Sequence, residues 1–126
     1  MTTVDTLLAE AQAAEAAEIK AALVEVDDVL VTQASPDAVS HALAGGVAVI
    51  VPPPAVEFTT PANWLCTWDL WVISTSFEPA EATRDLAPVL GVLADLGATR
   101  ARPDSFEAQG TVFAGYIITT SSTYSP

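Results

Sequence analysis

Apolar and polar positions alternate with a period of two along residues 64–76, WLCTWDLWVISTS, which is the spacing of a β-strand. Trp64, Cys66, Trp68, Leu70 and Val72 fall on one apolar face, expected to cover the core. Leu65, Thr67, Asp69, Trp71 and Ile73 fall on a mixed face, where Trp71 and Ile73 stay exposed unless a helix of the same domain or a neighbouring subunit covers them. Residues 1–25 carry Leu8, Ala11, Ile19, Ala22, Leu23 and Val26 near one helical stripe, with Glu15 the exception and Thr3 or Asp5 as the cap. Val29–Gln33 reads as a short strand. Ser35-Pro36-Asp37 then supplies a cap, a first-turn proline and a first-turn acid, opening a short helix to Ala44 that Gly45-Gly46 ends. The β-branched run Val47–Val51 is apolar on both faces and so predicts a central strand.

Pro52-Pro53-Pro54 stops that strand, because proline has no N–H for a ladder bond. Residues 52–63, PPPAVEFTTPAN, read as an extended, proline-bounded edge or arm with strand character at Val56–Thr59. A polyproline ligand is the alternative, but no basic residue flanks the prolines. Between Pro79 and Gly97, the stripe Ala82, Leu86, Val89, Leu90, Leu93 and Leu96 predicts a helix. Pro88 and Gly91 inside it predict a kink, or a late start near Asp85. Ala98–Arg102 reads as a strand, Pro103-Asp104 as a corner, Phe106–Ala108 as a short strand and Gln109-Gly110 as a hairpin turn. Thr111–Thr120 returns as a strand, and residues 121–126, SSTYSP, form a polar, frayed end. Together these elements predict one α+β domain over residues 1–126. Its mostly antiparallel sheet has about four to five strands, packed with an N-terminal and a central helix, plus a proline-rich arm at 52–63.

Composition sharpens this. The apolar share is 51%, but 23 of those residues are alanine, which favours helix and buries little area. At 126 residues the chain is one domain that buries roughly two thirds of its unfolded surface. The net charge is −12, with four basic residues against sixteen acidic ones, so a clustered cationic surface for a phosphate backbone or an anionic membrane is excluded. Such acidity keeps a protein soluble. It also suits a wall past which DNA slides without sticking. Residues 1–28 hold seven acids and one lysine, concentrating the charge on and just after the first helix. A solvated helix face accounts for that run as well. The start MTTVDTLLAEAQ has no basic segment ahead of an apolar run, and residues 42–56 are broken by glycines and prolines. Neither a signal peptide nor a membrane span is expected. A single cysteine, Cys66, excludes an internal disulfide and suits the reducing cytoplasm.

Candidate chemistry is sparse. His41 is the one histidine, so a histidine-rich metal site is excluded, and no cofactor motif is present. A triad on His41 would need Ser40 or Cys66 as nucleophile, and no motif supports either. Cys66 alternates onto the apolar face, as an inert small hydrophobe does. Asp27-Asp28 is the one adjacent carboxylate pair, and adjacency does not place two acids across a cleft. Arg100 and Arg102 share a strand face, where they either pair with local acids or serve subunit contacts.

The order of elements, with the strand WDLWVIS, the alanine- and leucine-rich helix and the closing PDSFEAQGTVFAGYIITTSS, resembles the small tail terminator proteins of long-tailed (siphovirus-type) bacteriophages, especially those of actinobacteria. The resemblance covers roughly Val29–Ser121 and rests on pattern and order. It implies a structural virion protein with no catalysed reaction and no cofactor. Such a protein forms a homo-oligomeric, typically hexameric, ring on the head-proximal end of the tail, with the major tail tube protein and the head-to-tail connector or stopper as partners. DNA passes through its channel without specific binding, and no membrane is involved. The expected subunit contacts are Phe58, Trp71, Ile73, Arg100 and Arg102, with the proline arm reaching a neighbour. Glu10, Glu15, Glu18, Asp27 and Asp28 are the candidates for an acidic lumen or rim. Other readings are a different head–tail joining protein, a small acidic protein-binding or DNA-mimicking module, and a small enzyme using Cys66 or His41.

Overall fold

The computed structural model describes residues 3–76, 78–108 and 110–125. The alternating run becomes the axis of the sheet: β4 (Asn63–Ser74) pairs antiparallel along nearly its whole length with β6 (Thr111–Tyr124). On the far side of β6 lies β5 (Arg100–Ala108), also antiparallel. On the other side of β4 lie β2 (Val47–Ile50) and β3 (Ala55–Thr60), one beyond the other and both antiparallel to it. β1 (Val29–Thr32) completes the sheet as the parallel neighbour of β2. The fold is α+β, with a six-stranded, mostly antiparallel sheet in the order β1-β2-β4-β6-β5 and β3 attached to β4.

The helices cover the two faces unequally. α1 (Val4–Ala22) and α3 (Pro79–Asp95) lie on the face that carries Trp64, Cys66, Trp68, Leu70 and Val72. Ala11, Ile19 and Leu23 from one helical segment, and Leu86, Val89 and Leu93 from the other, close the main core over those side chains. α2 (Ser35–Leu43) bridges β1 and β2 and covers part of the opposite face, burying Ala38, Val39 and Ala42 against Ala48, Ile50, Ile73 and Phe113. Two unequal cores therefore sandwich the sheet. No helix among the described residues is long and apolar enough to cross a membrane.

Several local expectations are corrected. Residues 52–63 take the edge alternative and do not form an arm: β3 is a strand of the sheet, which raises the strand number to six. The physical reason lies in the prolines. The Val51 N–H donates to the Thr32 carbonyl at 2.9 Å, and the Val51 carbonyl accepts from Gln12 Nε2 at 2.8 Å. Pro52, Pro53 and Pro54 then have no N–H to offer, and the edge slips by one residue before Ala55 pairs opposite Thr67. α3 runs unbroken from Pro79, without a late start at Asp85. Pro88 and Arg84, one turn apart, both face solvent, so water can satisfy the Arg84 carbonyl that Pro88 leaves without its helical donor. β5 runs straight through Pro103, where a corner was expected, because an edge strand can turn a position without an N–H to its open side. Residues 121–124 are not frayed. They continue β6 opposite Trp64–Thr67. In the short helix, Ala34 rather than Ser35 occupies the cap position. Gln109 of the expected hairpin turn lies outside the described residues, while Gly110 takes the positive φ of 75° that its turn requires.

Candidate functional site

Two sheet edges and one acidic helix carry the residues singled out by the sequence. Along β3, only the inner side is paired among the described residues. The hairpin to β4 is pinned by Thr60 Oγ1, which accepts from the N–H groups of Ala62 and Asn63, and by Thr59 Oγ1, which donates to the Asn63 carbonyl at 2.8 Å. Phe58 is 60% exposed and meets Trp64 edge-on, with centroids 5.0 Å apart. Trp64 in turn touches Tyr124 at 6.1 Å, and the Tyr124 hydroxyl donates to Glu10 Oε2 at 3.2 Å. An aromatic row thus crosses β3, β4 and β6 and leaves its outermost member in solvent. Glu57, on the opposite face of β3, is also exposed.

At the other end of the sheet, Arg100, Arg102 and Asp104 share one face of β5, the same face as Glu57. Arg102 Nη1 donates to Asp104 Oδ2 at 3.0 Å. Arg100 forms no ion pair among the described residues. The other face of β5, with Ala101, Pro103 and Ser105, is not roofed by α3. A cleft of about 400 Å³ opens there between Ala82 and Thr83 of α3, Pro103 and Ser105 of β5, and Tyr116. A second hollow, of about 220 Å³ between Leu90, Ala94 and Ala101, follows it along the helix.

The remaining contact candidates belong to the fold. Ile73 is fully buried under α2, so the expectation that it meets another subunit is corrected: its side chain has no surface left to offer. Trp71 is half-buried and packs edge-on against Phe106, with centroids 5.2 Å apart. It presents only part of its ring.

The acids divide in the same way. Glu15 sits half-buried on the packing stripe of α1, beside a hollow of about 50 Å³ that also touches Glu18, Leu70, Ile118 and Ser122. Burial pushes its carboxyl above the ordinary carboxylate value and repulsion from Glu18 adds to this, while a hydrogen bond with Ser122 opposes both. Ser122 Oγ also accepts from Trp68 Nε1 at 2.8 Å, so α1, β4 and β6 are joined through one hydroxyl. Glu18, Asp27 and Asp28 face solvent. Asp28, at a positive φ of 60°, places its carbonyl 3.0 Å and its Oδ1 3.5 Å from His41 Nε2.

Cys66 is buried on the α1 face, and burial, followed by repulsion from Glu15, raises its thiol pKa. His41 belongs to α2 on the opposite face, so the fold does not bring Cys66 and His41 together.

No protein-family model and no curated protein matches this chain. Function is therefore read from its own surfaces. Neither Glu57 nor the Trp64–Tyr124 contact stands out in the sequence. Only the pairing register of β3 and β6 places them, although the alternation Val56-Glu57-Phe58 is a usable signal.

Proposed function

We propose that this chain is a phage tail terminator, or a closely related head–tail joining protein, which acts as a homo-oligomeric ring. The ring caps the head-proximal end of the tail tube, docks on the head-to-tail connector and leaves a channel for DNA. The observation that carries the reading is the pair of open edges. β1 and β3 lie open on one side of the sheet and β5 on the other, and the pairings make β5 run opposite to both. A rotation about an axis along the strands brings the side that carries β1 and β3 to the β5 edge of the next copy, with β1 level with β5, antiparallel to it and with the same face inward. A contact between two different patches repeats from copy to copy and closes into a ring when the rotation divides a full turn.

The charge supports the same reading. A surface at −12 repels a polyanion and lets DNA pass without retention. The function is mechanical in this account: the faces matter and no bond is made or broken. Native mass spectrometry of the chain, alone and with the major tail tube protein, tests it. A discrete closed oligomer bound to the tube protein is expected. A persistent monomer in both samples would overturn the reading, and a stable complex with a basic DNA-binding protein in place of the tube would favour the acidic-mimic alternative.

A further inference from the structure

We infer that α1 is a hinged cover over the main core: it lifts from the sheet as a unit about residues 24–28 while the rest of the fold holds, and the charge on Glu15 sets how often it does so. The inference goes beyond the ring reading and does not rest on it. Burial is the first observation. Of the nineteen residues of α1 only Ala11 and Ile19 are buried, and Leu23 follows just past its end. α3, of similar length, buries Ala82, Leu86, Val89 and Leu93. Val4, Leu7 and Leu8 in the first two turns are exposed or half-buried, so α1 is held across its middle and at its C-terminal end. Elements with the least buried apolar surface are the ones that open locally before a fold is lost.

The underside of α1 is incompletely filled. Between Ala11 and Ile19 its packing stripe carries Glu15, beside the hollow of about 50 Å³ that reaches Leu70, Leu93, Ile118 and Ser122. Neither ion pair among the described residues involves α1, although it carries Asp5, Glu10, Glu15 and Glu18. Its side-chain hydrogen bonds to the sheet among those residues come from little more than one turn. The Tyr124 hydroxyl donates to Glu10 Oε2, Gln12 Nε2 donates to the Val51 carbonyl, and Glu15 bonds with Ser122. Beyond Leu23, the exposed Val24, Glu25, Asp27 and Asp28 supply the hinge, with Asp28 at a positive φ of 60°. The alanine-rich sequence favours helix whether α1 is down or lifted. Beneath it lie Val51, Cys66 and Trp68, each at most 1% exposed. Val51 is bonded to Gln12, Cys66 is close enough to Glu15 to feel its charge, and Trp68 shares Ser122 with Glu15.

The groups around Glu15 fix the sign of its effect. Glu18 stands on its own helix, Cys66 faces it from β4, Tyr124 of β6 bonds the neighbouring Glu10, and α3 contributes Leu93 to the hollow. No cation is among them. Burial first, and Glu18 second, hold the Glu15 carboxyl above its ordinary value, against the bond with Ser122. Lifting returns it to water. The closed state therefore binds the proton more tightly, so opening grows as pH rises from the ordinary value through the closed-state value and is level above it.

Cys66, the single cysteine, reports the opening. The rate at which dithiodipyridine labels the full chain, divided by the rate for free cysteine at the same pH, measures the open fraction. Labelling is expected to run faster than global unfolding allows, with the unfolding equilibrium taken from urea titration of tryptophan fluorescence, and the normalised rate is expected to climb with pH. Glu15→Gln should slow labelling near pH 7 and flatten the profile. Gln12→Ala, which removes one tether, should speed it about two- to tenfold. Hydrogen exchange supplies a readout free of thiol chemistry: the amides of residues 4–22 should exchange together and ahead of those of α3. Labelling no faster than global unfolding, or α1 amides exchanging only with those of α3, would overturn the cover. A pH profile that Glu15→Gln leaves unchanged would overturn the part assigned to Glu15.

Discussion

Phe58 and Ile73 are both contact candidates by sequence, and the structure exposes the first and buries the second, so truncating each separates folding from the proposed assembly. Ile73 is fully buried between α2 and the sheet. Ile73→Ala removes its transfer free energy and leaves a cavity, costing about 2–5 kcal/mol of monomer stability. Phe58 buries less than half of its surface. Full burial of such a side chain contributes up to about 3 kcal/mol, so its share is about 1 kcal/mol. The edge-on contact with Trp64 adds about 0.5–1.5 kcal/mol. Phe58→Ala should therefore cost the monomer about 1–2 kcal/mol, yet weaken self-association markedly. Urea unfolding followed by tryptophan fluorescence at high dilution gives the first quantity, and sedimentation velocity at high concentration the second. Equal stability losses for the two variants, with association untouched by Phe58→Ala, would refute the division.

Two further outcomes follow from the clamp between α1 and β6. Ser122→Ala leaves the part-buried Trp68 indole N–H without its acceptor and should cost about 1–3 kcal/mol in chemical denaturation, whereas a frayed end would give a value near zero. Glu15 has a folded-state pKa raised above its ordinary 4.5, so the folded state binds its proton more tightly than the unfolded chain does. Its charge therefore destabilises the fold progressively as pH rises through the folded-state value. Glu15→Gln should raise the Tm near pH 7 and leave it almost unchanged near pH 4, where both side chains are neutral; an equal shift at both pH values would contradict the assignment.

The strongly patterned segments are legible because one physical demand dominates each. The period-two run from Trp64 has to be a strand with an apolar face, and the β-branched run Val47–Val51 has to be central. Where proline is the cue, its local effect is legible and its tertiary context is not. Pro103 suggests a corner, but an edge position has no use for its N–H, and β5 continues through it. Pro88 suggests a kink or a late start in a helix whose solvent-facing side tolerates the lost bond. The polar tail reads as frayed because its partner, the first turn-proximal third of β4, is distant in sequence. The same distance hides the candidate site. Phe58, Arg100 and Arg102 are visible as residue types, whereas their places on strands at opposite sides of the sheet come only from the pairings. Ile73 is misplaced by the sequence because nothing in the alternation says which half of the second face α2 will cover.

Electron microscopy of tail tubes polymerised from purified tube protein, with and without this chain, tests the central claim most directly. The account predicts shorter tubes that carry a ring of density at one end when the chain is present. Tubes of unchanged length with bare ends at both termini would contradict it.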